Sequence, residues 1–172
     1  MPDVYTTEWY EAVRDAMNAS AADLPDLPDG SFVVAIEIVG DGISPYVGTE
    51  GRRFLVRIDA GRCSWWRETL DRAEERREAG GPVDYRFTGP ATVFDELAAG
   101  IGDPIDAALR GIINVRGDVR FLLRHADHVK ALLDAYTTRV ATTWPRGRPP
   151  YDGSPGGSQG VLPGAKGESA SA

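Results

Sequence analysis

Apolar residues recur along the chain at two spacings, and the alternation between those spacings divides the first 143 residues into elements. Trp9, Tyr10, Val13, Ala16 and Met17 fall on one side of a helical wheel. Thr6 or Thr7 supplies an N-cap oxygen, and Glu8 and Glu11 lie at the positive end of the helix dipole. This helix is expected to end near Ala22. Two prolines and a glycine in Leu24-Pro25-Asp26-Leu27-Pro28-Asp29-Gly30 break it and redirect the chain.

Strand spacing takes over at residue 31. Phe32, Val34, Ile36 and Ile38 share one face and Glu37 lies on the other, in a run rich in β-branched side chains that predicts a central strand covered on both sides. After the turn-rich Gly40-Asp41-Gly42, Phe54, Val56 and Ile58 alternate with Leu55, Arg57 and Asp59. Ala60-Gly61 then turns into a third strand around Cys63-Ser64-Trp65-Trp66, which predicts an antiparallel meander. Residues 67–81 are so heavily charged that a solvated helix or loop is expected. Val83, Tyr85 and Phe87 mark a fourth strand.

Two short helices come next. Pro90 suits a first helical position, and Val93, Phe94 and Leu97 form a stripe that ends at Gly100. Asp103-Pro104 repeats the start signal ahead of Ile105, Ala108 and Leu109, and Gly111 ends the second helix. A fifth strand is expected over 112–116. Val119, Leu122, Leu123, Val129, Leu132, Leu133 and Tyr136 then predict helix to about Thr142, where Trp144-Pro145 stops it. Glycine, proline and serine dominate the remainder, which is expected to be a disordered tail.

Composition narrows the function. At 172 residues with 42% hydrophobic residues, the chain suits one domain: a helix and linker over 1–30 packed with a domain over 31–143, and a tail over 144–172. A net charge of −7 argues against a nucleic-acid partner. No window approaches the apolar length of a membrane span, and the first residues lack the pattern of a secretion signal, so a cytoplasmic protein without stable membrane insertion is expected. A single cysteine excludes an internal disulfide and a thiolate zinc cage.

No catalytic constellation emerges. His125 and His128 are spaced i,i+3 but lack a third metal ligand, so they are expected at the surface or near a cap. Cys63 sits in an apolar strand beside two tryptophans and reads as a small core residue. Asp95 and Glu96 are neighbours on a helix, so their side chains diverge by about 100° and make a poor acid–base pair. No phosphate loop, dinucleotide fingerprint or nucleophile elbow is present. What stands out is apolar surplus: strands and short glycine-ended helices with facing apolar sides, an arrangement suited to enclosing a cavity.

One segment carries a family resemblance. The aspartate of the fourth strand, the helix ending in Gly100, the Asp103-Pro104 start, Ala107-Ala108 and the strand Gly111-Ile-Ile-Asn-Val-Arg-Gly117-Asp118 resemble the signature half of the sterol carrier protein 2 family of lipid-binding domains. The resemblance spans roughly residues 34–136, specific over 84–118 and looser before it. It implies an α+β fold, with a five-stranded, mainly antiparallel sheet and helices over one face enclosing a hydrophobic cavity. Family members bind sterols, fatty acids or fatty acyl-CoA without converting them, so neither catalytic residues nor a cofactor are implied. The charged stretch over 67–81 is longer than the family's usual connection, and the tail does not end in a peroxisomal Ser-Lys-Leu address.

The expected lining comprises Phe94, Leu97, Ile101, Ile105 and Leu109 from the short helices. Phe87 and Ile113 join them from the strands, and Leu132, Leu133 and Tyr136 from the last helix. Arg116 or Arg120 is a candidate to meet a ligand carboxylate. The rival reading is the same fold without a cavity, acting as an accessory module to a partner enzyme or as a homodimer, with which Trp65 or Trp66 on an edge strand would be compatible.

Overall fold

A computed structural model describes residues 1–24 and 27–152. In chain order the elements are α1 (Thr7–Ala22), β1 (Ser31–Val39), β2 (Arg52–Asp59), β3 (Arg62–Thr69), α2 (Arg72–Ala79) and β4 (Tyr85–Pro90). They continue with α3 (Ala91–Ala98), α4 (Pro104–Leu109), β5 (Asn114–Arg116), α5 (Val119–Arg124) and α6 (Ala126–Thr138). The five strands form one α+β sheet in the order β3-β2-β1-β4-β5. β1, β2 and β3 make the expected antiparallel meander, and β5 pairs antiparallel with β4. β4 lies parallel to β1, so the sheet is mixed. A parallel neighbour requires a crossover, and here α2 makes it, between edge strand β3 and β4.

The crossover helix changes the picture drawn from its charges. Val33, Ala35 and Leu55 are buried on the face that α2 covers, where Trp65, Ala79 and Val83 pack against them. Glu75 is only 4% exposed. Its carboxylate pairs with Arg86 of β4, and Arg86 also reaches Glu37 of β1 at 3.2 Å. Arg53 and Arg72 complete the cluster on Glu37, at 2.9 and 3.1 Å. The stretch expected as solvated is thus in part a lid on the second sheet face, clamped by two glutamates that the strand arginines neutralise. Asp71 caps α2 by accepting from the Glu74 amide at 2.8 Å, and Gly80 closes it in the left-handed conformation.

Parity on β3 is broken by one residue. Arg57 pairs with Trp65 but Ile58 pairs with Cys63, so Ser64 is an extra residue in a bulge. Its hydroxyl donates to Asp59 at 2.7 Å. Both Cys63 and Trp66 therefore turn to the main core, while Trp65 goes to the α2 side.

Pro90 proves to be the N-cap of α3 rather than its first residue, and proline offers no capping side chain. Asp41, from the link between β1 and β2, takes that role: it accepts from the Thr92 amide at 2.8 Å and from the amides of Ile43 and Ser44. Desolvation opposes the charge on Asp41. The hydrogen bonds from Thr92, Ile43 and Ser44 outweigh it and hold the carboxyl below the ordinary aspartate range.

The single long C-terminal helix expected from periodicity is two. α5 and α6 meet at His125, which is non-helical, and α6 ends at Thr138 rather than near Thr142. Residues beyond it return to the N-terminus: Thr143 donates its amide to Pro2 O at 2.9 Å and Val4 donates to Thr143 O at 3.1 Å. Residues 144–151, expected as the start of the tail, instead run in contact with the domain. Trp144 packs edge-on to Tyr46, Arg146 donates to Pro45 O and Arg148 to Ala99 O. The rest of that expectation, over 153–172, lies outside the described residues.

Candidate functional site

The apolar face of the sheet and the helices above it leave a cavity of about 200 Å³. Its floor is β1 and β2, from which Phe32, Val34, Ile36, Ile38, Phe54, Val56 and Ile58 rise, and Trp66, Phe87 and Ile113 extend the floor to either side. Trp9, Tyr10 and Met17 of α1 form one wall, and Phe94 and Leu97 of α3 close one end. Leu132, Leu133 and Tyr136 of α6 roof it. Phe121 and Leu122 of α5, with Pro28, His125 and His128, surround the other end. An enclosed apolar space of about 150 Å³ stays dry and takes up benzene, so this one is large enough to accept hydrocarbon.

Four of the lining side chains use their polar ends in hydrogen bonds to neighbouring groups of the protein. Tyr136 donates its hydroxyl to Phe94 O at 3.4 Å, Tyr85 to Asp118 O at 3.3 Å, and Tyr5 to Asp95 at 2.5 Å. Of the two places expected for the histidines, His128 takes the cap region, in the first turn of α6, and not the surface: it is 6% exposed, and its Nε2–H donates to Gly61 O at 2.8 Å. Burial raises the phenols of Tyr5, Tyr10 and Tyr136 well above their ordinary value, so all three are neutral. The Tyr10 hydroxyl and Trp66 Nε1 are buried without a partner. With walls made almost wholly of apolar and aromatic side chains, the cavity suits a chain or ring of carbon.

A separate polar cluster lies behind α3. Asp95 is fully buried and accepts from three hydroxyls: Tyr5, Ser44 at 2.6 Å and Tyr151 at 3.0 Å. Desolvation raises its carboxyl, and the three hydrogen bonds offset that only in part. Tyr5 reaches it from a backbone with φ of 62°, a conformation that a non-glycine residue holds only when its surroundings impose it. The cluster ties the N-terminus, the link after β1 and residues 144–151 to α3. Among the described residues no group of three or more histidine, cysteine, aspartate or glutamate side chains is placed to hold a metal.

Seven of the ten residues expected as lining are brought together on this cavity: Phe87, Phe94, Leu97, Ile113, Leu132, Leu133 and Tyr136. Ile101, Ile105 and Leu109 are not, and Leu109 is 80% exposed. A six-residue helix turns one narrow face inward, and in α4 Ala107 occupies it. Ile105 and Leu109 lie two residues to either side, about 200° around the axis, and so face away. Arg116 and Arg120 are both exposed near α5 and neither lines the cavity. The lining from α1, α5, β1, β2 and Trp66 was not anticipated as such. For α1 the signal was present in the one-sided spacing of Trp9, Tyr10 and Met17.

No protein-family model and no curated protein matches this chain. Solved structures do. The crystal structure of sterol carrier protein 2 is 17% identical and superposes with a TM-score of 0.61, covering 81% of this chain and all of that one. The solution structure of the conserved hypothetical protein TT1886 from Thermus thermophilus is 18% identical with a TM-score of 0.59, covering 82% of this chain and 92% of that one. The chain is an α+β domain of sterol-carrier-protein-like fold, as the resemblance over 84–118 implied.

Proposed function

We propose that the protein is a non-catalytic carrier that takes the hydrocarbon part of a lipid, such as a fatty acid, a fatty acyl-CoA or a sterol, into the cavity between sheet and helices. The observation that carries this reading is the cavity wall: apolar side chains from every layer of the domain, with the Tyr85 and Tyr136 phenols and the His128 imidazole hydrogen-bonded to backbone carbonyls. Each methylene removed from water contributes about 0.8 kcal/mol, so roughly ten would reach the free energy of micromolar binding. The likeness in fold to sterol carrier protein 2 supports the reading. The proposed contact residues are Phe87, Phe94, Leu97, Ile113, Leu132, Leu133 and Tyr136, with Ile36 and Phe54 below them.

Native mass spectrometry of the purified chain, followed by titration with a fluorescent fatty acid, tests this. Binding at or below tens of micromolar is expected. Leu97→Trp, which places an indole in the space, is expected to weaken binding at least tenfold while the protein still melts cooperatively. Failure of the unaltered chain to bind the probe, with no lipid carried through purification, would leave only the accessory-module reading.

A further inference from the structure

We infer that α5 is a docking surface for an anionic lipid bilayer, placed over one end of the cavity. α5 is six residues long and none of its residues is buried. Phe121 and Leu122 face the cavity, whereas Val119 and Leu123 are 47% and 68% exposed and lie one turn apart on the outer side. Such outward apolar residues lie partly in solvent and outside both hydrophobic clusters of the domain. Few contacts hold it: Asp118 caps it by accepting from the Phe121 amide, and the Phe121 ring meets those of Phe32 and His125.

Charge selects the partner. The chain as a whole is −7, yet residues 116–130 carry Arg116, Arg120, Arg124 and Lys130 against only Asp118 and Asp127. Several arginines of the sheet are held by carboxylates, as Arg52 is by Glu68 and Arg53 by Glu37. Among the described residues, no carboxylate lies within ion-pair distance of Arg116, Arg120 or Arg124, and the Arg124 guanidinium carbon lies over the Phe121 ring, 5.9 Å from its centroid. Unpaired guanidiniums around exposed valine and leucine fit a headgroup layer, where the cations meet phosphate and carboxylate and the apolar side chains enter the acyl boundary. An acidic protein would satisfy the arginines but not Val119 and Leu123, and a second copy of so acidic a chain would be repelled.

Flotation of the full chain with vesicles of phosphatidylcholine alone, and with 30% phosphatidylserine, tests the inference without any cavity ligand. Its outcome is therefore separable from the fatty-acid titration. Binding is expected only with phosphatidylserine and is expected to fall steeply at 0.5 M salt. Arg120→Gln/Arg124→Gln should weaken it about thirty-fold, from the contribution of two arginines at a charged surface. Val119→Ser/Leu123→Ser should weaken it as well, whereas Arg76→Gln/Arg77→Gln on α2 should leave it unchanged. No flotation with phosphatidylserine, equal flotation of the α5 variants, or an equal loss in the α2 variant would overturn the assignment.

Discussion

Tyr5 donates its phenolic hydrogen to Asp95 across 2.5 Å, although the two residues are 90 positions apart in the chain. The bond fixes the start of the polypeptide to α3, and Ser44 and Tyr151 fix two further segments to the same carboxylate. One side chain thus gathers four parts of the molecule beside the closed end of the cavity.

This arrangement sets a pH dependence. Burial raises the Asp95 carboxyl above the ordinary aspartate value of about 3.9, so the folded chain keeps a proton there over a window in which the unfolded chain has lost it. Stability from this group is therefore present below about pH 4 and declines as pH rises through the raised folded value. Asp41 acts with the opposite sign, contributing above the ordinary aspartate value and less as the pH falls. Asp95→Asn is expected to remove the declining component, so that urea midpoints measured from pH 4 to 7 rise more, or fall less, than in the unaltered chain. An identical slope would contradict the assignment. Asp95→Ala, which leaves three hydroxyls without their acceptor, should cost about 2–4 kcal/mol at neutral pH.

Arg86 joins two glutamates on the α2 face, one of them almost fully buried. Arg86→Met leaves Glu75 charged and unpaired and is expected to destabilise by roughly 2–4 kcal/mol in urea unfolding. Arg72, on the exposed side of the same cluster, should cost at most about 1 kcal/mol when replaced by alanine. Equal effects at the two positions would mean that the cluster works as a surface network and not as a buried clamp.

Cys63 is 2% exposed, and burial pushes its thiol up to about 12. Its thiolate is then a negligible fraction of the folded protein at pH 8, and a disulfide reagent should label it only as fast as the protein opens. Labelling is expected to be slow in buffer and immediate in denaturing urea. Rapid labelling of the folded chain would show that the β3 edge opens.

The elements themselves were largely legible in the sequence. Alternation over Phe32 to Ile38 announced β1, though not its place as the cavity floor, and the capping residues Thr6 and Asp103 announced the starts of α1 and α4. The partition of faces was less so. Ser64 shifts the register of β3 by one residue, which no periodicity count detects, and it sends Trp66 inward and Trp65 outward. Charge density over 67–81 suggested solvent, because the residues that neutralise Glu75 and Glu37 come from strands distant in sequence.

Local pattern by itself determined the strands and most of the helix starts, because each depends on spacing within a few residues. Only the tertiary structure decided which apolar residues stayed out of the cavity. Ala107 fills the inward face of α4 and turns Ile105 and Leu109 away, and the parallel placement of β4 beside β1 requires a crossover whose route is set by packing. The Asp95 cluster belongs to the same class. Its donors come from residues 5, 44 and 151, and a carboxylate acquires such partners only when burial brings distant segments together and leaves each hydroxyl no water to bond instead.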